Sequence, residues 1–322
     1  MNLQNISAWP KCFRNLRQKG ILGLNRRNVD YLLPRNSRTY YPRVDNKLAT
    51  KRICVEQGIR VPETYAVIED QGGVCTLAER LRHHPRFVVK PATGSGGRGI
   101  WVIDGHNSQD SETSQNGFIP LEDLRYHILT ILSGLYSLDG QRDQAIIEQQ
   151  ILVHPVFERF ALTGLPDIRI IIYRGVPAMA MVRLPTQASG GRANLHQGAI
   201  GLGVDLATGE TFGGVRGNEA VSVHPDTNEP LTPVRIPYWR DLLNGAIKLG
   251  KGLELGLIGV DYAIDAHAGP VVLEANARPG LAIQIANGCG LVPRFAFIDA
   301  RQPEGLAARQ RVELGRGVGQ IA

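Results

Sequence analysis

The chain has 322 residues, 43% of them apolar and 20% charged, which is the composition of a globular protein with a sizeable core. Its 36 lysines and arginines outnumber its 30 acidic residues, and the net charge of +6 indicates a mild preference for anionic ligands. Four scattered cysteines exclude a disulfide framework and a paired-cysteine zinc site. We find no secretory signal and no run of roughly 20 apolar residues, and we expect a cytoplasmic protein without a membrane span.

Basic residues are concentrated at the beginning of the sequence. Twelve of the 36 lysines and arginines lie in the first sixth of the chain, and they indicate either an arm that faces an anion or a solvated basic surface. Residues 8–19 are predicted to form a helix with Trp9, Phe13 and Leu16 on one stripe. Residues 26–41 are predicted to be irregular.

Two lysines stand at the ends of predicted elements. Asp45 opens a predicted helix over residues 46–57, and Lys47 lies near its beginning. A strand predicted over residues 87–90 ends at Lys90. An ammonium group at such a strand end can meet phosphate oxygens, whereas the alternative is a lysine that simply reaches solvent.

A glycine-rich loop follows Lys90 and fits the pattern G-x-G-x-x-G. A dinucleotide-binding fingerprint needs a helix directly after its glycines, but residues 100–103 read as a strand. A Walker loop needs Lys-Ser or Lys-Thr after its last glycine, and the H-R-D and D-F-G segments of protein kinases are absent. The loop is therefore predicted to be a flap between two strands, whose N–H groups cover phosphates. Its candidate phosphate-binding residues are Gly94, Ser95, Gly96, Gly97 and Gly99.

Two further predicted strands carry single polar side chains. The strand 145–148 ends at Glu148, which either lies at an adenine edge or is only a strand terminus. In the strand 167–173, Arg169 stands between isoleucines. An unpaired buried arginine is costly, so this side chain needs an anionic ligand or a carboxylate such as that of Asp167.

A predicted hairpin follows near the end of the chain, with strands 256–264 and 271–276 joined by a short turn. Glu274 and Asn276 are two residues apart and therefore point to one face of their strand. Asp261, the lone carboxylate of the first strand, can converge with them. Such a cluster of hard oxygen donors suits Mg²⁺ and phosphate, and the alternative is a solvated polar strand face.

Taken in order, these parts resemble the ATP-grasp superfamily and, within it, the RimK-type α-L-glutamate ligases. The resemblance covers about residues 47–290 and rests on Lys47, Lys90, the glycine-rich loop, Glu148, Asp167-x-Arg169, Asp261 and Glu274-x-Asn276. A further segment is similar to the R…R-x-N-L-H-x-G-G pattern of the RimK type, with Ala199 in place of the last glycine. It consists of Arg183 and Arg192-Ala193-Asn194-Leu195-His196-Gln197-Gly198.

The resemblance implies an α+β fold of the ATP-grasp type, in which the nucleotide lies between two lobes. The phosphates of ATP would be held by Lys47 and Lys90 under the flap, and the adenine would be framed by Glu148, Gln149 and Ile151. Mg²⁺, or Mn²⁺ as an alternative, would bind Asp261, Glu274 and Asn276. The γ-phosphate and the substrate carboxylate would contact Arg169, Arg183, Arg192, Asn194 and Arg278.

The same resemblance implies how the chain is divided. Residues 47–150 would form the small lobe with the flap, and residues 151–300 the large lobe with the metal site. Residues 1–46 would be a basic arm in place of a longer preceding region, and residues 301–322 a loose tail.

The implied activity is that of an ATP-dependent carboxylate–amine ligase. A small-molecule or peptide carboxylate would be activated as an acyl phosphate and attacked by an amine, with glutamate or another amino acid as the amine substrate. A nearer alternative is a kinase or ligase that acts on a sugar or a cell-surface precursor. An alternative of another class is a non-catalytic nucleotide sensor. We expect no DNA partner, and the oligomeric state is left open.

Overall fold

The computed structural model describes residues 9–94, 96–106, 110–113, 117–137, 140–162 and 164–321. Within these ranges, two antiparallel sheets with helices packed against them form the body of the protein. This mixed α+β architecture with two lobes agrees with the predicted fold class. None of the helices within the described ranges has both the length and the apolar character needed to cross a membrane.

Helices account for most of residues 9–56. Residues 26–41 were predicted to be irregular, and this prediction is wrong because Tyr31 and Leu32 turn inward and bury their side chains in the core of the large lobe. The side-chain oxygen of Asn46, rather than that of Asp45, caps the lysine-bearing helix by accepting from the amides of the next turn. The elements are α1 (Trp9–Gln18), α2 (Leu24–Arg26), a π-helix (Arg27–Leu32), a 3₁₀-helix (Arg38–Tyr40), α3 (Pro42–Asp45) and α4 (Lys47–Glu56).

The small lobe contains a six-stranded sheet in the order β1-β6-β2-β3-β4-β5. One face of this sheet and the helices against it bury a core of aliphatic side chains around Phe87. The strands are β1 (Thr64–Ile68), β2 (Phe87–Pro91), β3 (Trp101–His106), β4 (Asp110–Thr113), β5 (Gly117–Pro120) and β6 (Ala145–Gln149). The helices are α5 (Gln71–Cys75), α6 (Leu77–Leu81) and α7 (Leu121–Leu132).

The large lobe contains a seven-stranded sheet in the order β11-β10-β9-β8-β7-β12-β13. Its central strands are buried on both faces, which explains their nearly continuous apolar sequences. The strands are β7 (Asp167–Tyr173), β8 (Val176–Leu184), β9 (Ile200–Val204), β10 (Thr211–Arg216), β11 (Glu219–Ala220), β12 (Leu257–Asp265) and β13 (Gly269–Asn276). The helices are α8 (Pro155–Glu158), α9 (Trp239–Leu253), α10 (Ile283–Asn287), α11 (Leu291–Asp299) and α12 (Ala308–Val318).

The segment after residue 301 was predicted to be a loose tail, and for α12 this prediction is wrong. Val312, Gly315 and Val318 recur every third residue and form a buried stripe on the helix. At Gly315 the helix approaches β8 closely, since a β-carbon there would lie 3.0 Å from the ring of Pro177. The helix therefore belongs to the large lobe, although few of its residues are apolar.

Side-chain hydrogen bonds attach the basic arm to the large lobe. Asn36 Nδ2 donates to the carbonyls of Leu257 and Ala277 at 2.7 and 3.1 Å, so it bridges the beginning of β12 and the end of β13. Arg27 Nη1 donates to the Pro279 carbonyl at 2.9 Å. The arm thus contacts the loop that follows the predicted metal-binding hairpin.

Candidate active site

β12 and β13 pair as the predicted antiparallel hairpin. Asp261 lies directly opposite Glu274, and Asn276 lies opposite Gly259. Asn276 Nδ2 is 3.2 Å from Asp261 Oδ2 and 3.3 Å from Glu274 Oε1, so the three predicted oxygen-bearing side chains meet. Asp261 is only 1% exposed, whereas Glu274 and Asn276 are half-buried at the edge of the cleft.

Two arginines of the neighbouring strands neutralise the buried carboxylate of Asp261. Arg169 on β7 stands opposite it and forms two hydrogen bonds, of 2.7 and 2.6 Å. Arg183 Nη2 lies 3.0 Å from Asp261 Oδ2 and also pairs in a bidentate manner with Asp167. Asp167 had been considered as a partner of Arg169, but strand register pairs it with Arg183 because these two residues are direct cross-strand neighbours.

The charges within this cluster shift its acid groups in opposite directions. Burial alone would raise the pKa of Asp261, but Arg169 and Arg183 hold it well below its usual range. Burial raises the pKa of Asp167 to about 7, although Arg183 opposes the shift. The Asp261 carboxylate therefore stays ionised beside the half-buried donors, and the cluster is held together by strand register rather than by flexible loops.

On the small lobe, Lys90 is the penultimate residue of β2 and forms an ion pair with Glu148, the penultimate residue of β6. The same carboxylate lies 2.5 Å from the ammonium of Lys51, a residue that sequence reasoning missed. Lys51 Nζ also donates to the Pro62 carbonyl and to Thr64 Oγ1, both at 2.8 Å. The signal that could have found it is its position one helical turn after Lys47, on the same face of α4.

Lys47 lies where the two lobes meet. The small lobe was predicted to begin at residue 47, and this boundary is wrong because α4 packs against α9 and β13 and buries Cys54 in the core of the large lobe. The ammonium of Lys47 donates to the Gly94 carbonyl at the base of the flap, and its amide donates to the Ala92 carbonyl at 2.9 Å. Burial lowers the pKa of Lys47, while the nearby Glu274 raises it and Lys90 lowers it. The two predicted phosphate-binding lysines and one predicted metal ligand therefore lie close enough to influence one another.

The flap joins two strands as predicted, because β3 begins two residues after Gly99. Of its five candidate residues, Ser95 lies outside the described residues. The Gly97 carbonyl accepts a hydrogen bond of 3.3 Å from Nε of Arg192, which belongs to the large lobe. Gly99 has φ +73°, and a β-carbon there would lie 2.6 Å from the ring of Tyr136. The flap is thus held from both lobes.

His127 on α7 is a second residue near the flap that the sequence did not indicate. Its Nε2 lies 3.1 Å from the Gly99 carbonyl, and its ring stacks on that of Trp101 with centroids 4.0 Å apart and planes 2° from parallel. Burial lowers the pKa of His127, although the hydrogen bond to Gly99 opposes the shift. A lone histidine in an apolar helix gives no sign that it touches a loop 28 residues earlier.

The hinge between the lobes lies at the end of β6. Gln149 donates its amide to the Glu63 carbonyl at 2.8 Å, and Ile151 follows just beyond the strand. A cavity of about 310 Å³ opens beside this end and reaches the turn between β12 and β13. Asp265, the last residue of β12, accepts the Leu152 amide at 2.9 Å and thereby ties the hinge to the large lobe.

Two predicted substrate-binding residues have local partners. Asn194 Oδ1 accepts the amide of His196 at 3.0 Å and begins a 3₁₀-helix over residues 195–197. The guanidinium of Arg278 lies 4.7 Å above the ring of Tyr41 and 3.9 Å from the Asp45 carboxylate, with 55% of its side chain exposed. Arg278 therefore stands at the open side of the site, next to the basic arm.

A family model described as sugar-transfer associated ATP-grasp matches residues 26–300. The chain belongs to this family. The membership agrees with the ATP-grasp fold expected from the sequence. The RimK-type assignment is finer than the family and remains a proposal.

Individual relatives of this sugar-transfer associated ATP-grasp chain are distant. A 2-succinylbenzoate–CoA ligase of Bacillus cereus is 31% identical over 163 residues, covering 40% of this chain and 33% of that protein. The chain thus spans about a third of the length of the curated relatives it matches. The ATP-grasp ligase PsnB, solved with a minimal precursor, has a TM-score of 0.45 and 12% identity, with 84% of this chain and 63% of that chain covered. A biotin carboxylase of Campylobacter jejuni has a TM-score of 0.47 and 15% identity, covering 86% and 47%.

The donor chemistry of the site fits a hard divalent cation. Within the described ranges, no group of three or more His, Cys, Asp or Glu side chains is arranged to hold a metal. The candidate set in this ATP-grasp chain is instead two carboxylates and one amide, Asp261, Glu274 and Asn276, joined by contacts of 3.2 and 3.3 Å. All three offer oxygen donors, which Mg²⁺ prefers to nitrogen or sulfur.

Proposed function

We propose that this chain is an ATP-dependent carboxylate–amine ligase that forms an amide through an acyl phosphate. The observation that carries the proposal is that α4 packs against β13 of the large lobe, so that Lys47 at its beginning lies near Glu274 and also near Lys90 of the small lobe. Cationic groups suited to phosphate therefore face an acid–amide cluster suited to Mg²⁺. Phosphoryl transfer depends on this kind of positioning and charge neutralisation, and it requires no covalent nucleophile from the protein.

In the proposed site, α4 and the small lobe bind the nucleotide. Lys47 and Lys90 contact the phosphates, and the amides of Gly96 and Gly97 cover them. Glu148, Gln149 and Ile151 frame the adenine at the hinge. Lys51 shares the Glu148 carboxylate with Lys90, so it orients that carboxylate and limits its movement.

In the same proposal, Glu274 and Asn276 hold Mg²⁺ from the cleft side, with Asp261 behind them. When bound, the ion would supply positive charge that lowers the cost of charge build-up on the transferred group. Arg169 and Arg183 neutralise Asp261, so the cluster is balanced before a ligand arrives.

The proposed reaction has two steps. A carboxylate oxygen of the substrate attacks the γ-phosphorus, the bond between that phosphorus and the β–γ bridging oxygen breaks, and ADP leaves. The amine then attacks the acyl carbon, phosphate departs and the nitrogen loses a proton. Arg192, Asn194 and Arg278 line the substrate side of the cleft in this proposal, where their positive charge and amide can bind the carboxylate.

The family description favours a particular class of substrate. The family is described as sugar-transfer associated, and this description supports a carboxylate or amine that belongs to a sugar or a cell-surface precursor. Glutamate or another amino acid, as in a RimK-like reaction, remains the proposed partner of that group. A kinase that transfers the phosphoryl group to a sugar hydroxyl is the second candidate.

The test is ADP release from the purified chain with ATP and Mg²⁺ across a matched panel. The panel combines uronic acids, amino acids, amino sugars and neutral sugars, each alone and in pairs, and products are identified by mass spectrometry. We expect ADP release only when a carboxylate and an amine are both present, with an amide product that has lost one water.

Two other results would contradict the ligase. ADP release with a neutral sugar and no amine, with a phosphorylated product, indicates the kinase. ATP binding without turnover across the whole panel contradicts both enzymes and favours a nucleotide sensor.

A further inference from the structure

The positive charge of the protein lies in one segment. Residues 1–44 contain nine of the 36 lysines and arginines but only one of the 30 acidic residues, Asp30. The rest of the chain carries slightly more acidic than basic residues, so the net charge of +6 comes entirely from this segment. Such an asymmetry indicates an anionic partner for the segment rather than a general solubility effect.

The end of helix α1 stands in solvent. The described side chains of residues 14–19 are all exposed, including Leu16 at 42%. Leu16 belongs to the apolar stripe predicted from the sequence, and the exposed basic residues Arg14, Arg17 and Lys19 stand close to it along the chain. A helix of ten residues is marginal in water on its own, so this one needs a surface that accepts its apolar stripe.

The following helical segment repeats the pattern. Leu24, Val29 and Leu33 are each 61% exposed, and their spacing of five and four residues keeps them on one side of a segment that winds largely as a π-helix. Tyr31 and Leu32 face the core instead. A second exposed apolar stripe therefore runs along the arm, flanked by the exposed arginines 26, 35 and 38.

We propose that residues 9–38 dock on the surface of an anionic lipid bilayer. The apolar stripes would enter the boundary between headgroups and acyl chains, and the lysines and arginines would contact the anionic headgroups. Charge complementarity selects the anionic surface. The exposed leucines select a bilayer over a nucleic acid, because a phosphate backbone offers them no apolar environment. The arm lies on the membrane and does not span it.

Docking of the arm would also fix the position of the site. Arg27 and Asn36 bond the arm to the residues just after β13, between which Arg278 stands. An arm bound to the bilayer would thus hold the cleft of the same molecule in one orientation relative to the membrane. This inference does not depend on which reaction the site performs.

The experiment is co-sedimentation of the full chain with vesicles of phosphatidylcholine alone or of phosphatidylcholine mixed with phosphatidylglycerol. We expect binding to the mixed vesicles only, weakened by salt. Each basic residue near an anionic surface contributes roughly five-fold to partitioning, so Arg14→Glu/Arg17→Glu/Lys19→Glu should lower it by more than about a hundred-fold. The matched control, Arg80→Glu/Arg82→Glu/Arg309→Glu, reverses three exposed arginines elsewhere and should have little effect.

A second variant tests the apolar contribution. Leu24→Ser/Val29→Ser/Leu33→Ser changes side chains that are already exposed, so the fold should persist, as thermal unfolding and ATP binding would show. We expect weaker binding to mixed vesicles with an unchanged salt dependence. The proposal is overturned by absence of binding to mixed vesicles, by equal loss in the control variant, or by binding to heparin or polyuridylate without binding to vesicles.

Discussion

The two sides of the cleft are built in different ways. On the large lobe, Arg169, Arg183, Asp261 and Glu274 stand on four strands whose register places them together. On the small lobe, the flap depends on side chains from distant elements, namely His127 and Arg192. The first side is a buried, charge-balanced network, and the second is a glycine loop with a few long-range contacts.

This difference predicts that the large-lobe side of the cleft is rigid and that the flap is mobile. A network of paired charges in low dielectric keeps its geometry, because removing one partner leaves a buried charge without compensation. A loop held by single hydrogen bonds can open and close at small cost. We therefore expect substitutions on the large lobe to affect stability or chemistry strongly, and substitutions at the flap to affect mainly nucleotide binding.

The largest effect is expected from Glu274→Gln, which keeps the shape of a half-buried side chain and removes its charge. If Glu274 holds Mg²⁺, kcat for ADP release should fall by about a hundred- to a thousand-fold, while thermal unfolding stays unchanged. Asn276→Ala should behave similarly. Variants that unfold instead of folding without activity would show that the cluster is structural.

Arg183→Met tests the buried network directly. The substitution leaves Asp167 without its bidentate partner inside the large lobe, so the free energy of unfolding should fall by about 3–5 kcal/mol in a denaturant titration. The matched control is Arg316→Met, which breaks an exposed pair with Glu313 and should change stability by less than about 1 kcal/mol. Equal small effects for both variants would contradict the contrast between the lobes.

Gly99→Ala tests the packing of the flap. The new β-carbon would meet the ring of Tyr136 at 2.6 Å, and the residue keeps a left-handed backbone. We expect the Kd for ATP to rise by about ten-fold in calorimetry. Gly96→Ala is the matched control, since it has a similar φ of +64° but no neighbouring atom within 4 Å.

A second substitution, Tyr136→Ala, should restore ATP binding to the Gly99→Ala variant. In a Tyr136→Ala background the clash disappears, so Gly99→Ala should then resemble Gly96→Ala in its effect on ATP binding. A loss of affinity that persists in this background would place the effect in backbone strain alone.

The smallest effect is a pH dependence of stability from His127. Burial lowers the pKa of this ring in the folded protein, so the unfolded chain binds the proton more readily. The stabilising contribution is therefore complete above the unfolded value of about 6.5 and is lost as the pH falls through the folded pKa. The free energy of unfolding should therefore differ less between pH 7 and pH 5 in His127→Gln than in the unsubstituted protein. If the difference is the same in both, His127 is not its source.

Much of the large-lobe site could be predicted from the sequence. The alternation of Glu274 and Asn276 in an apolar strand, with Asp261 across a short turn, defined the hairpin before its register was known, and the structure pairs these residues as expected. A period of two residues is a local property of strands, so the sequence reports it directly. The partner of Arg169 could not be read in this way, because it depends on which strands are neighbours.

The sequence by itself determined the order in which polar residues occur along the strands, the glycine-rich flap and the positive charge of the arm. Only the tertiary structure decided that His127 contacts the flap, that Lys51 shares Glu148 with Lys90, and that α12 packs on β8. These contacts join elements far apart in the chain, and each rests on one or two side chains without a periodic pattern. The physical reason is that local propensity and periodicity act over a few residues, whereas pairing of buried charges and packing of helices depend on how the whole chain folds.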